Sequence, residues 1–160
     1  IRLLEGLVDV YLPDFKYLDS KMAADYSDTA DYPEAIKLSV REMFRQKGST
    51  VILDDEGHAV SGMIIRHLVL PGGCEDSRNI LRWIAENLSL SVHISLMSQY
   101  YPTERVRSHP LLGRTLYQDE YNDVVRTMEE IGFYNGWIQE LSSSSYYNPD
   151  FTQENPFDNA

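Results

Sequence analysis

Two charged residues at the end of a predicted strand are the first candidates for chemistry. Asp14 and Lys16 follow a β-prone run at residues 7–11, which ends at Pro13 because proline cannot donate a ladder hydrogen bond. In extended geometry, side chains two residues apart point to one face of a strand. A carboxylate beside an ammonium group can bind hydroxyls or both ends of a zwitterion beyond the end of a parallel strand. An ion pair between the two at the surface is the simpler alternative.

Arg66 and His67 interrupt an otherwise apolar strand at residues 63–70. Alternation places one of them on the inner face of the sheet and the other among the helices. If Arg66 shares the inner face with Leu68 and Leu70, its guanidinium group needs carboxylate or ligand oxygens. A structural salt bridge is the alternative for Arg66, and His67 is expected to be a packing histidine with satisfied hydrogen bonds.

The loop at residues 98–116 contains further polar candidates. Gln99, Tyr100 and Tyr101 directly follow a predicted strand, where ligand contacts would lie, although an aromatic pair before a proline also serves loop packing. Positive charge gathers later in the loop, where it can receive a carboxylate or an acidic partner segment, or compensate nearby acidic residues; it comes from Arg105, Arg107, His109 and Arg114.

Common catalytic motifs are absent from the sequence. There is no Gly-x-Gly-x-x-Gly, no phosphate-binding P-loop, no Gly-x-Ser-x-Gly and no clustered Cys/His spacing. A glycosidase-like pair of carboxylates stays open, and its candidates are Asp9, Asp14, Asp54 and Asp55.

Strands and helices alternate along the chain. After a polar, Asp-rich stretch at residues 17–31, apolar residues at helical spacing predict a helix over 33–47. Two apolar arms at 51–53 and 63–69 flank a turn-forming cluster. A helix after Gly73, a strand at 92–97, a helix ended by Gly132 and a short last strand at 133–141 follow. This order predicts a parallel sheet covered by helices, either a barrel or an open sheet.

Composition limits the remaining possibilities. With 160 residues, 42% of them hydrophobic, the chain is expected to form one domain. Its net charge of −11 would repel phosphate backbones, so nucleic acid is not expected as a partner. No long apolar run or leader pattern is present, and the single cysteine fits a reducing compartment, so we expect no membrane association and a cytoplasmic location.

Three segments carry a family resemblance: Gly6 to Lys16, Ile65 to Gly72 and Met97 to Pro102. Their order and spacing resemble the pyruvate formate-lyase activating enzymes of the radical S-adenosylmethionine (radical SAM) superfamily. The resemblance is greatest to a poorly characterised branch whose members end in patterns similar to residues 135–140 and 149–151, so it covers nearly the whole chain.

The resemblance implies a fold and a chemistry. The fold is a partial (β/α)6 TIM-like barrel, of which residues 1–141 would be the C-terminal part, with residues 142–160 packing on it as an extension. In the family, a [4Fe-4S] cluster cleaves S-adenosylmethionine to a 5'-deoxyadenosyl radical that abstracts hydrogen, in activating enzymes from a glycine of a glycyl-radical enzyme. Asp14 and Lys16 match its Asp-x-Lys motif, Arg66 and Leu68 match the next strand, and Gln99 or Tyr100 stands where a histidine is common.

The family holds its cluster with three cysteines in a Cys-x-x-x-Cys-x-x-Cys loop, and this sequence has only Cys74. We therefore expect the chain to be a fragment of a longer protein, without a cluster and inactive alone. A barrel lacking its first strands leaves an edge near residues 7–11, and we expect dimerisation there or coverage by a tail. Two other functions stay open: a non-catalytic barrel-derived module that binds an acidic or peptide partner, and a conventional barrel hydrolase.

Overall fold

A mostly parallel sheet flanked by helices forms the centre of the protein, which a computed structural model describes over residues 1–141. Four strands pair in parallel in chain order: β1 (Val10–Tyr11), β3 (Ala59–Leu68), β4 (His93–Met97) and β5 (Gly136–Ile138). A short β2 (Ile52–Leu53) pairs antiparallel with β3. The mixed α/β class with a parallel sheet, predicted from the alternation of elements, is confirmed.

Three of the four α-helices within residues 1–141 lie where the apolar periodicity predicts them. These are α2 (Tyr32–Lys47), α3 (Cys74–Asn87) and α4 (Gln118–Ile131). Each directs an apolar stripe at the sheet, and α4 ends at Gly132, whose φ of +95° is the left-handed conformation that glycine adopts readily. The helices supply the connections between successive parallel strands.

Helix α1 (Ser20–Ser27) lies within the polar stretch at residues 17–31, where no helix was predicted. Its first turn is capped by Asp19, whose carboxylate accepts hydrogen bonds from the amides of Lys21 and Met22 at 2.6 and 2.9 Å. Ala23 is its only buried residue, so no apolar stripe marks the helix. The capping residue Asp19, and not hydrophobic periodicity, was the feature of the sequence that could have predicted this helix.

The core lies between the sheet and helices α2, α3 and α4. Fully buried side chains come from β3 and β4, from α3, and from the segment after β1, and they include Phe15, Met63, Ile65, Ile80, Ile84, Ile94 and Leu96. β5 approaches β4 so closely that a Cβ atom at Gly136 would lie 2.0 Å from the carbonyl oxygen of Ile94. Only glycine permits this pairing.

Strand β1 forms one edge of the sheet, since within residues 1–141 it pairs with β3 alone. Leu7 and Leu12, on either side of this strand, are 76% and 52% exposed. None of the helices in the described part of the chain has the length and apolar character needed to span a membrane. The extension predicted for residues 142–160 lies outside the described residues.

Candidate functional site

A cleft of about 370 Å³ opens where β1, β3 and β4 end. Its volume lies in the range of small-molecule sites. All six residues predicted for a cofactor site line it, and the full lining consists of Asp14, Lys16, Tyr17, Arg66, Leu68, Leu70, Met97, Gln99 and Tyr100. The residues come together because parallel strands bring their carboxyl ends to one edge of the sheet.

Asp14 and Arg66 form an ion pair at the mouth of the cleft. The Nε and Nη2 atoms of Arg66 each lie 2.7 Å from Oδ1 of Asp14. The side chains are 44% and 37% exposed, so the pair adds little to the stability of the fold. Arg66 shares its face of the sheet with Leu68 and Leu70, but its guanidinium group is exposed because this end of β3 opens into the cleft. Of Arg66 and His67, the buried residue is His67.

Asp14 does not pair with Lys16, contrary to the simpler alternative for that motif. Within residues 1–141, neither Oδ2 of Asp14 nor the ammonium group of Lys16 has a partner. As far as residues 1–141 are concerned, the cleft therefore presents a carboxylate oxygen and an ammonium group that have no partner, together with a guanidinium group. Such a set can bind a ligand that carries both a carboxylate and hydroxyl or amino groups.

His67 lies on the opposite face of β3 from Arg66 and is 2% exposed, as expected for a packing histidine. Its Nδ1 lies 2.7 Å from the carbonyl oxygen of Phe15, and its Nε2 lies 2.8 Å from the hydroxyl of Ser77 on α3. Burial lowers the pKa of His67 to about 4. The ring is therefore neutral at pH 7, with Nδ1–H donating to Phe15 and Nε2 accepting from Ser77.

Asp76 at the start of α3 holds the chain that follows the Asp14–Lys16 motif. Its carboxylate accepts the amide hydrogens of Leu18 at 3.0 Å and Asp19 at 2.8 Å. Burial raises the pKa of Asp76, although these amide bonds act in the opposite direction. A second buried polar group thus fixes the backbone beside the cleft.

Gln99 and Tyr100 form the wall of the cleft that follows β4. The Oε1 atom of Gln99 accepts a hydrogen bond from Nε2 of Gln139 at 3.0 Å, and the hydroxyl of Tyr100 donates to the carbonyl of Leu112 at 2.7 Å. Tyr101 is 48% exposed and does not line the cleft. Residues after β5 and in the long loop therefore position this wall.

The cations of the long loop mostly serve the loop itself. Arg107 pairs with Glu104 at 2.7 Å, and Arg114 pairs with Glu120 at 2.7 Å. Nδ1 of His109 accepts the amide hydrogens of residues 111 and 112 at 3.2 and 3.0 Å. Compensation of nearby acidic residues thus accounts for Arg107 and Arg114, whereas Arg105 has no ion pair within residues 1–141.

Among the residues that the structure describes, no pair of carboxylates lines the cleft, and Asp14 is the only one of the four candidates there. Asp54 instead accepts the amide hydrogens of Glu56 and His58 within the turn between β2 and β3. Residues 1–141 also contain no group of three His, Cys, Asp or Glu side chains able to hold a metal ion. The described residues therefore do not fit an iron-sulfur cluster.

Three lining residues were not among the predicted site residues: Tyr17, Leu70 and Met97. Alternation along the two strands was a usable signal for Leu70 and Met97, since they lie two residues from Leu68 and Gln99. Tyr17 is 7% exposed and packs edge-on against Tyr26 and Tyr32 from α1 and α2. No pattern in the sequence marks this aromatic cluster.

Comparison with known proteins gives one informative similarity. The chain is 30% identical over 136 residues to an uncharacterized protein of Methanocaldococcus jannaschii, in an alignment that covers 84% of this chain and 35% of that protein. The chain thus spans about a third of the length of the curated relative that it matches. No family model and no solved structure matches the sequence.

Proposed function

We propose that this chain forms the S-adenosylmethionine-binding part of a cytoplasmic radical SAM enzyme of the pyruvate formate-lyase activating type. Its sheet would be the C-terminal part of a partial (β/α)6 barrel. One observation carries the proposal: Asp14, Lys16, Arg66 and Leu68, which match the family's motifs, line a single cleft at the ends of parallel strands. Gln99 and Tyr100, which stand where the family often has a histidine, line the same cleft.

The residues of the cleft suit the chemistry of S-adenosylmethionine, which has an amino acid end and an adenosine end. The free ammonium group of Lys16 can bind the carboxylate, and the available oxygen of Asp14 can accept from the amino group or a ribose hydroxyl. Leu68, Leu70 and Tyr100 provide apolar and aromatic surface for the less polar parts. In this proposal these side chains bind and orient the ligand and exclude water from it.

The iron-sulfur cluster must be held by other residues than those described. The chain has one cysteine, Cys74, whose half-buried thiol donates to the carbonyl of Glu120 at 3.5 Å and whose pKa is raised by burial. When bound, such a cluster supplies the electron that breaks a carbon–sulfur bond of S-adenosylmethionine. We therefore propose that the 160 residues alone bind S-adenosylmethionine without cleaving it, and that a longer parent protein acts on a glycyl-radical enzyme or another peptide.

The outer edge of β1, which has no strand partner within residues 1–141, is the proposed site of self-association or of coverage by a tail. The exposed Leu7 and Leu12 flank this edge, where a strand from a second copy can add. Light scattering is expected to give the mass of a dimer for the 160-residue chain. A monomer in solution together with a crystal structure in which the β1 edge is bare would contradict this part of the proposal.

Calorimetric titration of the chain with S-adenosylmethionine tests the proposal. Lys16→Met and Asp14→Asn are each expected to weaken binding about tenfold, the effect of losing one hydrogen bond to a charged group. The matched controls are Lys37→Met and Asp25→Asn, since both side chains form exposed ion pairs on helices away from the cleft.

Two outcomes would overturn the proposal: no saturable binding by the wild-type chain, or equal losses in the cleft variants and the controls. Binding of an acidic peptide without binding of S-adenosylmethionine would favour the alternative function, a non-catalytic barrel-derived module that binds a peptide partner. Hydrolysis of an ester or glycoside by the chain would favour the conventional barrel hydrolase.

A further inference from the structure

We infer that Tyr32 is a positioning residue that sets the directions of the Asp14 and Lys16 side chains in the cleft. The inference concerns ligand binding and in that respect rests on the proposed function. Tyr32 is the first residue of α2, and its hydroxyl reaches the segment after β1. The hydroxyl donates to the carbonyl oxygen of Asp14 at 2.7 Å and accepts from the amide of Lys16 at 3.0 Å.

The need for such a group follows from the position of this segment at the edge of the sheet. Asp14 forms an isolated parallel bridge with Arg66, whose amide donates to Pro13 and whose carbonyl accepts from Phe15, both at 2.9 Å. In this pattern the carbonyl of Asp14 and the amide of Lys16 point away from β3. No strand lies on that side within residues 1–141, and the hydroxyl of Tyr32 takes the place of the missing strand.

Every peptide group between the two site residues thereby has a partner. The amide of Phe15 bonds to Arg66, the carbonyl of Phe15 bonds to His67, and Tyr32 bonds to the two outward groups. Because the backbone on both sides of Phe15 is fixed, the Cα–Cβ directions of Asp14 and Lys16 are fixed as well. Both side chains then project into the cleft on the face opposite the buried Phe15 ring.

The surroundings of Tyr32 suit this role. Its ring packs edge-on against Tyr17, which lines the cleft, with a centroid separation of 5.6 Å and an interplanar angle of 71°. Burial raises the pKa of Tyr32, so the hydroxyl keeps the proton that it donates to Asp14 at neutral pH. Loss of the hydroxyl alone would leave the two outward peptide groups without a protein partner.

Tyr11 provides a matched control in the same interface. It lies on β1, is 6% exposed, and donates its hydroxyl to Oε1 of Gln46 on α2 at 2.7 Å. Tyr11→Phe and Tyr32→Phe therefore each remove one hydroxyl group that joins the β1 segment to α2. Only Tyr32→Phe removes bonds to the backbone of Asp14 and Lys16.

Amide hydrogen exchange, measured by NMR on the 160-residue chain without ligand, tests the backbone role. In Tyr32→Phe, the Lys16 amide is expected to exchange at least about tenfold faster relative to the buried Ile65 amide, which reports global opening. In Tyr11→Phe this ratio should stay at the wild-type value. An unchanged ratio in Tyr32→Phe, or an equal change in both variants, would overturn the inference.

Titration with S-adenosylmethionine then tests the consequence for binding. Tyr32→Phe is expected to raise the Kd about three- to tenfold, and Tyr11→Phe is expected to leave it unchanged. Equal Kd values for Tyr32→Phe and wild type would overturn the inference that Tyr32 positions the Asp14 and Lys16 side chains for ligand binding. If the wild-type chain does not bind S-adenosylmethionine, the proposed function fails, and the exchange ratio alone then decides whether Tyr32 holds the segment.

Discussion

Two segments that follow parallel strands form opposite walls of the cleft, and they are held in place differently. Residues 12–19, after β1, are fixed by the buried groups of His67 and Asp76 and by the fully buried ring of Phe15. Residues 98–117, after β4, are anchored at a few buried points, such as Leu112 and Leu116, and carry exposed side chains such as Tyr101 between them. The comparison teaches that the wall carrying Asp14 and Lys16 is supported by buried groups along its length, whereas the other wall alternates buried anchors with exposed stretches.

The largest difference between the walls is expected from truncating one aromatic side chain in each. Phe15→Ala removes a ring that is 0% exposed and packs edge-on against Trp83 at 5.4 Å, so it should lower the free energy of unfolding by about 3–5 kcal/mol. Tyr101→Ala, in the other segment, removes a ring that is 48% exposed and should cost no more than about 1 kcal/mol. Urea unfolding measures the free energy of unfolding of both variants. Equal losses in the two variants would contradict the difference between the two walls.

A pH-dependent effect is expected only in the first wall. The pKa of His67 is lowered from 6.5 to about 4 in the folded protein, so between these values the unfolded chain binds a proton that the native protein does not. Above pH 6.5, the neutral His67 does not lower the free energy of unfolding. As the pH falls from 6.5 towards 4, protonation of the unfolded chain lowers the free energy of unfolding by roughly 3 kcal/mol in total.

Urea unfolding from pH 7 to pH 4 measures this loss against two variants. His67→Gln should lose less stability than wild type over that range, because it lacks the titrating ring. His58→Gln is the control, since the His58 side chain is 71% exposed in the turn before β3 and should follow the wild-type curve. If the free energy of unfolding of His67→Gln falls with pH as steeply as that of wild type, burial of this histidine does not cause the loss of stability in acid.

The smallest effect is expected from one hydroxyl of the second wall. Tyr100→Phe removes the bond to the carbonyl of Leu112, which should cost about 1 kcal/mol of stability or less because the side chain is only partly buried. Its main result should be faster amide exchange confined to the loop around Leu112. Faster exchange in β3 as well would show that the two walls are more strongly coupled than the contacts indicate.

Periodicity predicted the elements that have an apolar stripe and missed the one that lacks it. Helices α2, α3 and α4 and strands β3 and β4 lie near their predicted positions because each directs a face into the core. Helix α1 buries only Ala23, so its existence depends on the Asp19 cap and on tertiary contacts. Hydrophobic pattern alone does not contain that information.

The residues of the cleft were predictable because alternation and strand ends are local properties. Extended geometry indicated that Asp14 and Lys16 share one face, as do Arg66 and Leu68, and the family resemblance selected these four as site residues. The supports beneath them depend on contacts between distant parts of the chain: His67 binds the carbonyl of Phe15, 52 residues earlier, and Asp76 binds the amide of Leu18, 58 residues earlier. Spacing along the sequence does not reveal such pairs.

The most direct test of the central claim is an NMR map of where S-adenosylmethionine binds the 160-residue chain. The account predicts saturable shifts of the amide signals of Lys16, Leu68 and Gln99, which belong to three different strand ends that meet at the cleft. The turn at residues 54–58, which lies outside the cleft lining, should be unaffected. Shifts confined to another surface, or none at saturating ligand, would contradict the account.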